Sequence, residues 1–360
     1  MSNLSKILRT ETEAICYPDG RMVGSDGHEQ ARLHLKRRLK EIGCEPYVGN
    51  SLELPYKFKG KAFCNLVGRL PGADPSLAPV LIGAHYDSVI PFPCADDNAA
   101  AVAIALQAGK MLSEEGGLER DVVIAIFDAE EPPYFLSDGM GSQRFYEDHV
   151  LGKREIHAAI IMDLVGHDIS IPGHVLSHVP VIGKAAALIP GLANTDISIP
   201  MLSQLLFVTG SESHKEMASA LDSIGQPSGL KIVPTLNRYI GDMSDHGVFR
   251  RNGVPYLFLS CAQWAHYHAP TDTPDRLNYR KMSYITRYVT ELANSISSLE
   301  MAGRRQKERT HDTLKLEMTY LRQSLGMLYQ PVMKWLKLNG VSNRKEMDAF
   351  VHQLLYAGLC

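Results

Sequence analysis

Pro79-Val80-Leu81-Ile82-Gly83-Ala84-His85-Tyr86-Asp87 is the stretch that decides the fold. Its first six residues are apolar or small without alternation, the pattern of a strand buried on both faces. The run stops at His85-Tyr86-Asp87, so metal-capable chemistry begins where the strand ends. Comparable apolar, β-prone runs recur at 62–67, 122–128, 158–164, 205–208, 231–233 and 255–259. Helical patterns separate them near 98–113, 139–150, 212–222, 244–251 and 276–299, after two opening helices at about 3–15 and 27–42. This alternation predicts an α/β fold with a mostly parallel central sheet flanked by helices.

The composition agrees with that reading. Of 360 residues, 45% are hydrophobic and 21% charged, which excludes a disordered chain, a collagen-like fibre or a polar linker. No apolar run reaches the ~18 residues of a membrane helix, so no membrane partner is expected. The start carries Glu11 and Glu13 and lacks an apolar h-region, so no secretory signal is expected. A net charge of −3 gives no field for nucleic acid. Six scattered cysteines (Cys16, Cys44, Cys64, Cys94, Cys261 and Cys360) read as free thiols in a reducing cytoplasm. Each is expected to be a small buried hydrophobe, with Cys94 close to the site described next.

Open α/β sheets bind ligands just outside the carboxyl ends of their strands. At those ends stand His85 with Asp87, Glu130-Glu131 and Asp163, and the last run leads to Tyr267-His268. Asp97, in Ala95-Asp96-Asp97-Asn98, opens the helix after the first of them. Imidazole nitrogen and carboxylate oxygen are ordinary zinc ligands. His85, Asp97, Glu131, Asp163 and His268 are too many for one tetrahedral ion that keeps an open position. They suit two ions about 3.5–4 Å apart that share a carboxylate. Glu130 is then placed to act as general base, and Asp87 to accept the second N–H of the His85 ring.

These stretches resemble the zinc-dependent exopeptidases of the aminopeptidase S and aminopeptidase Y type. The matching pieces are Gly83–Val89, Ala95–Ala99, Phe127–Glu131, Ile161–Leu164, Ser244-Asp245-His246 and Tyr267–Thr273, spread over about residues 20–300. The resemblance implies a phosphorylase/hydrolase-like α/β fold and two Zn2+ ions bridged by Asp97. It implies one ion on His85 and Asp163, the other on Glu131 and His268, with Glu130 as catalytic base and Tyr267 polarising the substrate carbonyl. It also implies a cis peptide bond between Asp97 and Asn98. The activity implied is removal of residues from short peptides, as an aminopeptidase or dipeptidase.

His266 is the rival to His268, and the His-x-Pro-x-Asp-Thr context favours His268. His246 reads as a structural hydrogen-bonding residue, and His174, His178 and His214 as surface or core. Two features depart from the pattern. The segment Pro132–Ser142 is long, as in the glutaminyl cyclases that form a branch of the same fold with one zinc. Met243 stands where some relatives place a tyrosine. The alternatives are therefore a glutaminyl-peptide cyclotransferase or a non-catalytic metal-binding scaffold.

The composition shifts after about Ala302. Residues 1–303 are expected to form the exopeptidase domain and 304–360 a helical appendage outside it. Leu314, Met318, Leu321, Leu325, Leu328 and Val332 make one stripe that Pro331 should end or kink near Gln330. Met347, Phe350, Val351, Leu354 and Leu355 make a second stripe after Gly340. These faces are expected to pack on the chain's own core or to join subunits of a homo-oligomer.

Overall fold

The structure, a computed structural model, describes residues 2–172, 196–198, 202–301 and 310–356. His174, His178, Cys360 and the start of the tail at 304–309 lie outside the described residues. The strands are β1 (Glu45–Pro46), β2 (Glu53–Phe58), β3 (Lys61–Leu70), β4 (Val80–His85), β5 (Val122–Phe127) and β6 (Ala158–Met162). They continue with β7 (Ser170–Pro172), β8 (Asp196–Ser198), β9 (Leu205–Thr209), β10 (Lys231–Thr235) and β11 (Tyr256–Ser260). Nine of them form one sheet in the order β1-β3-β5-β4-β6-β11-β9-β10, with β2 paired to β3. The β7–β8 pair stands apart.

The decisive run is the middle of this sheet. Every residue of β4 is buried, and so is every residue of β5, β6 and β11. These four strands are parallel, with Ile82 opposite Ile124 on one side and Ile160 on the other. Successive residues feed different layers: Ile82, Ile124 and Ile160 join one hydrophobic cluster, and Leu81, Val123 and Ile161 the other. The helices Asn3–Glu13, Ala100–Glu115 and Tyr279–Ser297 contribute to the first layer, and Gly141–Phe145 and His246–Arg251 to the second. Away from this centre the sheet is mixed, because β3 runs antiparallel to β5 and β9 antiparallel to β11.

The strands β1, β2, β7 and β8 and the break in the tail differ from the sequence expectation. Strand β2 reads as loop because Pro55 and Lys57 interrupt its apolar character, and its burial is that of an edge. Lys59 and Gly60, both at positive φ (47° and 79°), close its hairpin with β3 in a two-residue turn. In the tail, the helix Leu314–Leu325 stops at Gly326, before Pro331 is reached. Pro331 instead lies in the first turn of the next helix, Tyr329–Trp335, where a missing N–H costs little.

The tail packs on its own chain with two faces. Leu316 and Tyr320 join the main core, where the Tyr320 hydroxyl donates to the Leu221 carbonyl at 2.6 Å. Ser324 donates to the Ile232 carbonyl of β10 at 3.0 Å. Leu321 closes with Met333, Leu336, Met347 and Phe350 into a separate small cluster that includes the last helix, Arg344–Tyr356.

Candidate active site

The register of the parallel strands brings the functional residues to one edge. Gly83 of β4 faces Ile161 of β6, so two residues further on His85 and Asp163 leave the sheet together. Beta-strand β5 ends beside His85 at Phe127 and turns through Asp128 and Ala129 into Glu130-Glu131. Asp97 sits at a kink within Ala95–Ala99, where it and Asn98 leave helical φ/ψ, and its bond to Asn98 is cis. Ala129, Leu164 and His268 all lie at φ 53°, the left-handed region that L side chains usually avoid. Such backbone clustered around one set of side chains marks a place where position outweighs local preference.

The distances are those of a cluster. His85 Nε2 lies 3.4 Å from Asp97 Oδ1, 3.7 Å from Asp163 Oδ1 and 3.8 Å from Glu130 Oε2. His268 Nε2 lies 3.0 Å from the other Asp97 oxygen and 3.4 Å from Glu131 Oε2. Two groups of donors thus meet at Asp97: His85-Asp97-Asp163 and Asp97-Glu131-His268. A third set, His85-Glu130-Glu131, shares His85 with the first and Glu131 with the second. His266 belongs to none of these sets; its Nδ1 is 2.7 Å from the Thr271 hydroxyl.

Electrostatics shows what the cluster suits. Burial and the neighbouring carboxylates hold Glu130 well above the usual carboxyl range, against the pull of His85. Burial, together with Asp97, pushes Glu131 up to about 8. Burial also raises Asp163. Asp97 moves the other way, because His268 and His85 outweigh its burial. Several ligand-type atoms are buried without a hydrogen-bond partner: Glu131 Oε1, Asp163 Oδ1, His268 Nε2 and both His85 ring nitrogens. Buried polar groups left unpaired cost on the order of 1–3 kcal/mol each. A cation among them satisfies the orphans and offsets the crowded negative charge, so the residues present fit a metal.

A further layer of buried carboxylates aims the backbone. Asp87 accepts from the backbone N–H of Glu130 (3.0 Å) and Glu131 (3.1 Å), and stands 3.4 Å from His85 Nδ1. Asp272 does the same for Asp96 (2.8 Å) and Asp97 (3.1 Å). Asp96 in turn holds Gly166 N–H and His167 Nδ1, both at 2.6 Å, just past Asp163. Sequence reasoning gave Asp87 only the imidazole and gave Asp96 and Asp272 no role. A carboxylate that accepts from another segment's backbone leaves no spacing signal. Asp96 and Asp272 lie within the quoted Ala95–Ala99 and Tyr267–Thr273 motifs, the clues available.

The remaining named residues also have places. Tyr267 lines the cleft with its ring stacked on His268, centroids 3.7 Å apart. Burial and nearby carboxylates push its hydroxyl well above the ordinary range. His246 is buried, with Nε2 3.1 Å from Asn237 Oδ1 and 3.2 Å from the Gly241 carbonyl. His214 caps the helix Lys215–Ile224. Cys94 is a buried free thiol that burial pushes up to about 12. Asp245 is fully buried, and burial pushes its carboxyl up to about 7 beside the cluster. From the long segment, Pro132 and Phe135 line a cleft of about 350 Å³. The same cleft takes in Asp97, Glu130, Glu131, Asp163 and His268.

Known proteins share this frame. The profile of Peptidase family M28 matches residues 65–173 and 180–293. An uncharacterized protein, YfbL of Escherichia coli (strain K12), is 28% identical over 256 residues, covering 66% of this chain and 72% of its own. A Zn-dependent exopeptidase from Parabacteroides distasonis superposes with a TM-score of 0.58 at 15% identity, over 81% of this chain and 97% of that one. A glutaminyl cyclase of Tannerella forsythia gives 0.56 at 16% identity, over 82% and 99%. At these identities the two structures show a common fold.

Proposed function

The chain belongs to peptidase family M28, and on that premise we propose that it is a zinc-dependent exopeptidase releasing amino-terminal residues from short peptides. The observation that carries the reading is the position of Asp97. One of its oxygens faces His85 and the other faces His268, so a single carboxylate serves two donor sets. In this reading His85, Asp97 and Asp163 would hold one zinc ion, and Asp97, Glu131 and His268 a second. Zinc, when bound, polarises the scissile carbonyl and lowers the pKa of water toward ~7.

The chain's own residues do the rest. Glu130, buried and crowded by carboxylates, is suited to hold a proton taken from water and to return it to the leaving amine. Tyr267 offers a hydroxyl donor on the cleft wall beside His268, where it can meet the developing oxyanion. Asp87 keeps Glu130 and Glu131 in place through their backbone, and so acts on the reaction by position. The free cysteines among the described residues support a reducing, cytoplasmic setting.

The test pairs metal analysis of the purified protein with digestion of a peptide library. Two zinc ions per chain and release of amino-terminal residues support the reading. One zinc per chain with formation of pyroglutamyl peptides replaces it with a cyclotransferase.

A further inference from the structure

We propose that the carboxyl-terminal helix Arg344–Tyr356 is a wall of the substrate cleft, and that Val351 limits the apolar side chain the cleft admits. The inference rests on the exopeptidase reading and names the substrate class within it: short peptides that present an uncharged, apolar side chain.

The lining carries the chemical class. Every charged residue on the described cleft surface belongs to the metal-capable cluster. Beyond that cluster the surface is Phe207, Ile240, Met243, Phe258, Tyr239 and Val351, with a few neutral polar groups. Of those polar groups the Thr209 and Thr235 hydroxyls are 2.6 Å apart and Ser260 Oγ accepts from Ala262 N–H at 3.1 Å, and the Gln263 amide carries no charge. A charged substrate side chain entering this end loses its hydration and finds no counter-ion. An apolar one gains by burial. At about 350 Å³ the cleft is at the small end of ligand pockets, room for one or two residues of a peptide.

The helix is fixed in place. Arg344, Met347, Asp348 and Val351 follow helical spacing and share one face. Arg344 pairs with both oxygens of buried Glu317 at 2.7 and 2.8 Å, and with Asp312 at 3.0 Å. Asp348 pairs with Arg238 and accepts from the Tyr239 hydroxyl, and Tyr239 itself lines the cleft. Met347 and Phe350 are buried in the tail cluster beneath. Val351 therefore reaches the cleft from an element tied down through the turns that precede it. The tail, expected from sequence to lie outside the catalytic unit, shares its cleft.

The experiment measures kcat/KM of the zinc-loaded full chain on alanyl, leucyl and phenylalanyl 4-nitroanilides, for the wild type, Val351→Trp and Val351→Ala. Filling the wall should lower the leucyl-to-alanyl ratio by about tenfold or more, and trimming it should raise the phenylalanyl-to-leucyl ratio. A second readout is calorimetric binding of leucine hydroxamate against glycine hydroxamate. Val351→Trp should weaken the former by about tenfold relative to the latter. Ratios that stay level in both measurements, in variants that melt as the wild type does, overturn the proposal. If the wild type cleaves none of the anilides but the hydroxamate preference follows Val351, the wall stands and the peptidase reading falls.

Discussion

Asp272 Oδ2 lies 3.1 Å from the backbone nitrogen of Asp97, while its other oxygen lies 2.8 Å from that of Asp96. One carboxylate thus sets the direction of the residue at which both donor sets meet. Asp87 repeats the device on Glu130 and Glu131. Asp96 repeats it on Gly166. The cluster is held by carboxylates gripping backbone, so its geometry does not depend on the flexible torsions of the ligands alone.

Asp272→Asn is expected to keep the fold and weaken zinc binding by about 10–100-fold, the usual effect of removing a group that orients a ligand. The amide retains one acceptor oxygen for a backbone N–H and loses the other. Competition against a chromogenic chelator measures the affinity. An unchanged dissociation constant refutes the orienting role.

How far the sequence could be read follows from these same residues. His85, Glu131 and Asp163 were legible because each follows an apolar run, and parallel strands bring their carboxyl ends to one edge. Asp272 and Asp96 were not, because their partners are backbone atoms of segments up to 176 residues apart. Arg21 was equally silent: it is fully buried, and its guanidinium bonds the carbonyls of Ile15, Tyr86, Pro93 and Cys94. An arginine bonded to carbonyls has no charge partner for pattern reading to find. The β2 edge strand lacked the apolar run that marked the centre. In the tail the stripes were legible, but their reach to the cleft through Val351 depends on tertiary contacts.

Glu130→Gln is expected to lower kcat by about 10²–10⁴-fold, the range for losing a positioned general base. Zinc content should stay at the wild-type value, since the role assigned to Glu130 is proton transfer. Metal analysis and peptide-release kinetics on the same preparation separate the two effects. A variant as active as the wild type removes Glu130 from the mechanism.

Tyr320 ties the tail to the main core. It is 2% exposed, and its hydroxyl meets the Leu221 carbonyl at 2.6 Å. Tyr320→Phe should cost about 0.5–1.5 kcal/mol, one net hydrogen bond. Tyr320→Ala should cost about 3–5 kcal/mol through the cavity it leaves. Urea unfolding followed by circular dichroism reads both. Equal, small losses in the two variants mean that the helix Leu314–Leu325 adds little to the stability of the core.

His246 gives the acid branch of stability a definite sign. Burial drives its ring down to about 4, against the opposing pull of the Gly241 carbonyl, and the ring stacks on Phe258 with centroids 4.1 Å apart. An unfolded histidine titrates near 6.5, so between about 6.5 and 4 the unfolded chain binds the extra proton. The stability gained from the neutral ring is therefore complete above about pH 6.5 and is lost as pH falls toward 4. The loss amounts to about 1 kcal/mol at pH 5.5 and approaches about 3 kcal/mol at the bottom of the window. His246→Gln keeps a donor facing the Gly241 carbonyl and cannot titrate, so its unfolding free energy should fall less steeply across this range. Carboxylates of the metal cluster titrate too, but they are common to both proteins, so the difference between the two curves isolates the imidazole. Urea midpoints at several pH values between 7.5 and 4.5 supply the curves, and proton NMR of the ring gives its folded pKa directly. Parallel curves, or a ring that titrates near 6.5 in the native protein, contradict the assignment of His246 as a neutral, buried hydrogen-bonding group.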